Sequence, residues 1–407
     1  MLLASAIAEV VLGLLVALPL LIYRFKAKRW NNIALEYPQE THDSQLVILL
    51  PIWNEAVIIE KKLDDLKRQY PVKPSLLVID SASTDDSVAL VKQWITDNPS
   101  VFSTTKVIEM PERLGKTSAV KLALEDLTED SFEGLVMMTD ADALIGEGTI
   151  QRLYGWFADS SIGAVGSSAN RKTRLHGETK YRSLYEMLRS AESKVDSTPF
   201  LEGSCMMWRH GSLNPSDLNT DSNADDAQIA SLVRISGLRS IFDSEASFID
   251  FAPTTIEGQS RQKVRRAQGL QNMLSRFPKQ HRLPEDGEFA KIFTFQNYIH
   301  LTVPLILFQI AICATVRWVY VGITGIHSLL EYEAFIHAGL ASIELLILVS
   351  WLSFRNGIKL PFIATIGALA TSFEYLFIAR YKNSRGQSSH KWNQHSDVRK
   401  LLYKFRN

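Results

Sequence analysis

The chain carries long apolar runs toward its two ends and, between them, a polar middle in which short apolar runs alternate with amphipathic stretches. Across residues 2–23 Glu9 is the only charge, and a run of that length crosses a ~30 Å hydrocarbon core as a helix. A cleaved leader carries its positive charge ahead of the apolar run, whereas here Arg24, Lys26, Lys28 and Arg29 follow it. The run is therefore read as an uncleaved anchor with its amino terminus outside. A second apolar block begins near Tyr298, is punctuated by Arg317, and resumes over 335–354 and 360–379. Three closely spaced runs predict a C-terminal membrane bundle, with Glu331, Tyr332 and Glu333 outside and Arg355 and Lys359 inside. Four full spans would carry Arg380, Lys382, Arg385 and Lys391 to the outer face, against the positive-inside bias. A cytosolic tail is expected instead, with one segment re-entrant or lying along the interface.

The middle of the chain has an α/β pattern. Leu46-Val47-Ile48-Leu49-Leu50, Leu76-Leu77-Val78-Ile79 and Leu135-Val136-Met137-Met138 are continuous apolar runs, as expected of strands covered on both faces of a largely parallel sheet. Val57, Ile58, Leu63 and Leu66 recur at helical spacing between the first two, which predicts a crossover helix and a βαβ unit. Open α/β sheets bind ligands at the carboxyl ends of strands where strand order reverses. Those ends read Pro51-Ile52-Trp53-Asn54-Glu55, Asp80-Ser81-Ala82-Ser83-Thr84-Asp85 and Thr139-Asp140-Ala141-Asp142.

Charge and cysteine usage narrow the chemistry. The 44 Lys+Arg balance 44 Asp+Glu, so there is no polyelectrolyte signal for a nucleic-acid partner. Two cysteines, Cys205 and Cys313, are too few for a disulfide framework or a thiolate zinc site, so any metal is held by oxygen. Asp140 and Asp142, two residues apart at a strand end, suit Mg²⁺ or Mn²⁺ with a phosphorylated ligand completing the shell. A solvated loop that caps a helix gives the same pattern. Arg113-Leu114-Gly115-Lys116-Thr117 is like the end of a P-loop, but Met110 stands where that motif needs glycine. An NTPase is excluded on that ground, and Lys116 stays a candidate phosphate or nucleotide contact. Asp225 and Asp226 precede a helix-periodic stretch, where they either cap the helix or supply a general base for a hydroxyl nucleophile. Gln262, Arg265 and Arg266 belong either to a basic helix resting on anionic lipid or to a clamp on a diphosphate.

Taken in order, these motifs resemble the membrane-associated inverting nucleotide-sugar glycosyltransferases of family 2, in the branch of cellulose, chitin and hyaluronan synthases and their shorter prokaryotic relatives. The resemblance implies an α/β, GT-A (Rossmann-like) catalytic domain with one N-terminal and about three C-terminal membrane helices. Its implied boundaries are an anchor at 1–23, the GT-A domain at 45–245 and a diphosphate-clamp segment with interfacial helices at 246–297. A membrane bundle at 298–380 and a basic tail at 381–407 follow. Pro51, Asn54, Glu55, Asp80, Lys116 and Asp140 would meet the nucleotide, although Ser81 and Ala82 depart from the family's acidic segment. Asp142, with Asp140, would hold Mg²⁺ or Mn²⁺ on the diphosphate. Phe200-Leu201-Glu202-Gly203-Ser204 resembles the loop at the acceptor end, so Glu202, Gly203 and Asp225 are expected on the acceptor and Asp226 as catalytic base. Gln262, Arg265 and Arg266 would meet the diphosphate, with Arg266 where processive synthases carry the Trp that stacks on the acceptor. Phe277, Phe289, Phe293 and Phe295 are expected on helices that rest on the membrane.

The reaction that this resemblance implies is transfer of a sugar, with inversion, from a nucleotide-diphosphate sugar (UDP-linked by the family's lean) to a hydroxyl of a lipid-linked or growing glycan. The implied partners are that donor, that acceptor and membrane lipid; no protein partner is implied. The implied location is a prokaryotic cell membrane, with several passes and a cytoplasmic catalytic domain. A single transfer to polyprenyl phosphate and a catalytically silent membrane scaffold or export channel are the two other readings.

Overall fold

The computed structural model describes residues 2–69, 73–172, 178–358, 363–387 and 395–405; Lys359, Lys391 and the start of the 360–379 run lie outside them. One mixed sheet organises the middle of the chain. Its strands are β1 (Leu46–Ile52), β2 (Ser75–Asp80), β3 (Thr105–Glu109), β4 (Leu135–Thr139), β5 (Leu144–Ile145), β6 (Ile162–Lys172), β7 (Cys205–Arg209) and β8 (Arg239–Phe251). They lie in the order β3-β2-β1-β4-β7-β6-β8-β5. β1 pairs in parallel with both β2 and β4, so strand order reverses at β1 and opens a crevice at its carboxyl end. β7 then runs antiparallel to β4, with Thr139 opposite Cys205, which brings the loop before β7 beside the end of β4.

Around the sheet lie α2 (Ile59–Lys67), α3 (Ser87–Asp97), α4 (Lys116–Glu129), α5 (Thr149–Gly155), α6 (Glu178–Val195) and α7 (Asp225–Ile235), preceded in the chain by α1 (Leu2–Trp30). Then come α8 (Ile256–Gln280), α9 (Phe289–Asn297), α10 (Val303–Thr324), α11 (Glu331–Arg355), α12 (Ala364–Ser384) and α13 (Ser396–Lys404). The two-residue period of β1 explains the layers: Leu46, Ile48, Leu50 and Ile52 enter one core, Val47 and Leu49 the other. Both faces are thus buried, as the continuous apolar runs predict. The crossover helix α2 buries Ile58, Leu63 and Leu66, whereas Val57 is exposed ahead of its first turn.

Phe277, Phe289 and Phe293 depart from expectation. They are buried in the second core, against residues of β1, α4 and α7, so α8 and α9 are sealed to the sheet layer by their aromatic faces. Phe295 instead stacks on Tyr23 of α1 with ring centroids 3.7 Å apart. Aromatic content identified buried faces; the surface that buries them is a tertiary choice that periodicity does not carry.

Among the described residues three helices are long and apolar enough to cross a membrane: Leu2–Trp30, Phe289–Thr324 and Glu331–Arg355. Two of these candidates are C-terminal, beside the about three helices expected there; α12, whose run begins outside the described residues, is not among them. Its polar groups bond to α8 instead: the Tyr375 hydroxyl meets Ser260 at 3.0 Å, and the Leu376 carbonyl accepts from Gln271 at 2.9 Å. Two crossings would return the chain to the side it left, in keeping with a tail on the side of the sheet. The charges in the spans also find an explanation. Arg317 is wholly buried and donates to Glu9 at 2.9 Å and to Glu344, and it meets His337 at 2.6 Å, so one guanidinium serves both carboxylates of the apolar runs.

Candidate active site

The acidic strand ends do not hang free in solvent. At β4, Asp140 accepts from the Ser204 hydroxyl at 2.8 Å, a contact that the β4–β7 register makes inevitable. Its other oxygen pairs with Lys116 at 2.7 Å, and Lys116 reaches on to Asp225 at 3.4 Å. One ammonium thus ties the Asp140-Ala141-Asp142 turn to the acidic pair that opens α7. Burial alone would push the Asp140 carboxyl up, but Lys116 outweighs it and the group is held below its usual range. Asp142 takes a different partner: one oxygen accepts from Arg399 at 2.8 Å, and the side chain keeps 27 % exposure.

Asp226 lies in the first turn of α7, with its oxygens accepting from the backbone N–H of Ala227 at 2.8 Å and of Gly203 at 3.2 Å. A Cβ at Gly203 would lie 3.2 Å from the Asp226 Cβ, so glycine is what permits that approach. Burial, and after it the charge of Asp225, pushes Asp226 up to about 6, a value that leaves an effective base near neutral pH. Glu202 behaves oppositely. Burial would raise it, but Arg189 at 2.7 Å, then Arg182 and Arg266, bring it down to about 2.

α8 completes the site because it lies against the loop before α7. A Cβ at Gly269 would fall 1.6 Å from the Asn223 side-chain oxygen, and the Ser222 hydroxyl donates to the Gly269 carbonyl at 2.8 Å. That contact faces Arg265 and Arg266 toward the acidic loop. Among the described residues neither guanidinium has a hydrogen-bond or ion-pair partner. Burial, and after it the charge of Arg266, brings Arg265 down to about 10, against the opposing pull of Asp140, Asp142 and Asp225. Lys116, Asp140, Glu202, Gly203, Asp225, Asp226, Arg265 and Arg266 all line one cavity of about 350 Å³. Tyr375, Leu376 and Ser372 of α12 and Leu270 of α8 form part of its wall.

The remaining expected residues lie elsewhere. Gln262 does not line the cavity. Pro51 is buried inside β1 opposite Ile79. Asp80 is taken up by its own loop, accepting from the Ser83 backbone N–H at 2.9 Å and from its hydroxyl. Asn54, at φ 54°, accepts from the Thr84 N–H at 2.7 Å and knits the β1 and β2 loops into one wall. Glu55 is wholly buried and accepts both Nε and Nη2 of Arg399, which leaves its carboxylate no free edge for a nucleotide.

Sequence reasoning missed Arg113 and Arg399. The Arg113 guanidinium lies 3.4 Å over the Trp53 ring, with Nε and Nη2 buried and lacking hydrogen-bond partners, beside the end of β1. It belongs to the Arg-x-Gly segment already singled out for Lys116. Arg399 sits on α13, whose Val398, Leu402 and Phe405 spacing is a helical signal inside the basic tail.

Among the described residues no cluster of three or more His, Cys, Asp or Glu side chains could hold a metal alone. Asp142 has one oxygen that Arg399 does not occupy, and both Asp140 oxygens are engaged. So sparse an all-oxygen donor set fits a hard cation whose shell is completed by phosphate and water.

Residues 47–214 match the glycosyl transferase family 2 model. The chain is 22% identical over 238 residues to a poly-beta-1,6-N-acetyl-D-glucosamine synthase of Staphylococcus aureus, a match spanning 57% of this chain and 56% of that one. A synthase of the same name from Staphylococcus epidermidis is 22% identical over 265 residues, 63% of this chain and 62% of its own length. The chain therefore matches little more than half of these curated relatives. Among solved structures, the mannosyltransferase PcManGT of Pyrobaculum calidifontis, in complex with GDP-Man and Mn²⁺, is 25% identical with a TM-score of 0.73. That likeness covers 93% of this chain and 99% of the other.

Proposed function

From the premise that the chain is a glycosyltransferase built on a family 2 domain, we propose that it moves one sugar, with inversion, from a nucleoside-diphosphate sugar to an acceptor hydroxyl at the membrane surface. The observation that carries this reading is the pairing, across one cavity, of a carboxylate pushed up to about 6 with two guanidinium groups that lack partners. Asp226 takes the proton of the attacking hydroxyl. The acceptor oxygen bonds to the anomeric carbon as the bond from that carbon to the diphosphate oxygen breaks. Charge released on the diphosphate is met by Arg265 and Arg266 and by Lys116. A divalent cation on the diphosphate, with Asp142 as its protein ligand, would supply further charge neutralisation. The whole-chain likeness to a mannosyltransferase with GDP-Man and Mn²⁺ supports both the donor class and the cation.

The wall contributed by α12 and α8 supports a lipid-linked acceptor, with its sugar or isoprenoid end against Leu270 and Leu376. The catalytic domain is assigned to the cytosolic face, where nucleotide sugars are made and where the basic residues that follow α1 belong. The test is release of nucleoside diphosphate by detergent-purified protein from a panel of UDP- and GDP-sugars with Mg²⁺, Mn²⁺ or chelator. Turnover of one donor only with metal, abolished in Asp142→Asn and Asp226→Asn, supports the reading; no turnover or binding of any donor sinks it.

A further inference from the structure

The guanidinium of Arg399 has no place in the reaction described above, yet it is the most fully committed cation of the donor side. Two of its nitrogens go to Glu55, and the third donates to Asp142 at 2.8 Å. Glu55 is wholly buried and Arg399 nearly so, at 6 %. α13 is held in place by more than this contact. Leu402 is buried in the first core, Lys61 donates to the Leu402 carbonyl at 2.7 Å, and Asp397 accepts from Thr254 at 2.7 Å. Helix and arginine are therefore a fixed part of the catalytic domain.

We propose that Arg399 is a positioning residue of the donor site: anchored by Glu55, it fixes one oxygen of Asp142 so that the other is presented to the cation on the sugar diphosphate. The proposal rests on the reading of Asp142 as the metal ligand. The alternative, an arginine that blocks the cation's position and leaves when donor arrives, would take from the wholly buried Glu55 both hydrogen bonds that Arg399 gives it. Such a residue would also be expected on a loosely held segment, and α13 is not one. Metal-binding carboxylates take their orientation from groups that hold the oxygen turned away from the metal, and a planar guanidinium can serve two carboxylates at once where an ammonium cannot.

The test measures Mn²⁺ affinity by the electron-paramagnetic signal of free Mn²⁺, with UDP or GDP present, in the intact detergent-purified protein. The double substitution Glu55→Gln with Arg399→Gln removes the pair without stranding a buried charge. It is expected to keep its unfolding temperature and to bind Mn²⁺ about 10–100-fold more weakly. Arg399→Lys leaves Glu55 a counterion and is expected to weaken Mn²⁺ in the same direction, which keeps the question open to test should the double variant fail to fold. Unchanged or tighter Mn²⁺ binding in these variants, with weakened binding in Asp142→Asn, overturns the positioning role alone. If Asp142→Asn binds Mn²⁺ as the parent does, the underlying reading of Asp142 falls and the proposal with it.

Discussion

The molecule holds two clusters of buried charge, one among its membrane helices and one in the catalytic cleft, and they are built on opposite terms. In the membrane, Arg317 spends its three nitrogens on Glu9, His337 and Glu344, and Trp318 donates to the second oxygen of Glu344 at 2.8 Å. In the cleft, Arg265 and Arg266 have no side-chain hydrogen-bond or ion-pair partner among the described residues, and Asp226 is pushed up to about 6. A buried charge without a partner is costly and persists where a ligand supplies the missing half. The first cluster therefore holds helices together, and the second waits for an anion and a proton donor.

That contrast breaks most sharply at Asp226. Asp226→Asn is expected to cut transfer by about 10²–10⁴-fold, measured as nucleoside diphosphate release with acceptor present. The membrane cluster responds in stability instead. Arg317→Leu strands Glu9 and Glu344 and is expected to cost about 3–5 kcal/mol, read from unfolding in detergent, with turnover per folded molecule unchanged. Adding Glu9→Gln and Glu344→Gln to Arg317→Leu should return most of that loss, since a neutral packed site has no charge to strand. Next in size, Arg265→Gln with Arg266→Gln should lower turnover by about 10²-fold, as loss of groups that meet developing charge does, without lowering the unfolding temperature.

The smallest effects are in pH. With Asp226 as the base proposed above, turnover should fall about tenfold per unit as pH drops below about 6. Stability has the opposite sign. A carboxyl whose folded value is raised contributes stability that is full below its unfolded value and is lost as pH rises through about 6. Asp226→Asn should therefore raise the unfolding temperature at pH 8 and leave it unchanged at pH 4, which calorimetry can read.

What the sequence showed and what it hid follow one physical division. β1, β2 and β4 were legible because both faces are buried and each carries a continuous apolar run. The acidic strand ends, Lys116 and Asp225-Asp226 were legible because each belongs to a short segment with its own spacing. What α12 packs against was not legible, because apolar composition alone does not show that Tyr375 and the Leu376 carbonyl bond to α8. Glu55 illustrates the harder limit. Its motif is local, but its partner Arg399 lies 344 residues away, and nothing in either segment names the other.

The Glu55–Arg399 contact also bears on how the protein is made. Glu55 precedes α10 and α11 in the chain, and Arg399 follows both. The two meet only if the chain between them crosses the bilayer an even number of times, as it does when α10 and α11 both span it, since an odd number of passages leaves α13 on the far side. A chain with α13 on the other side lacks the two bonds from Arg399 to Glu55 and the one to Asp142. The donor site proposed above is then incomplete, so its assembly is tied to the topology of helices that never touch the sugar.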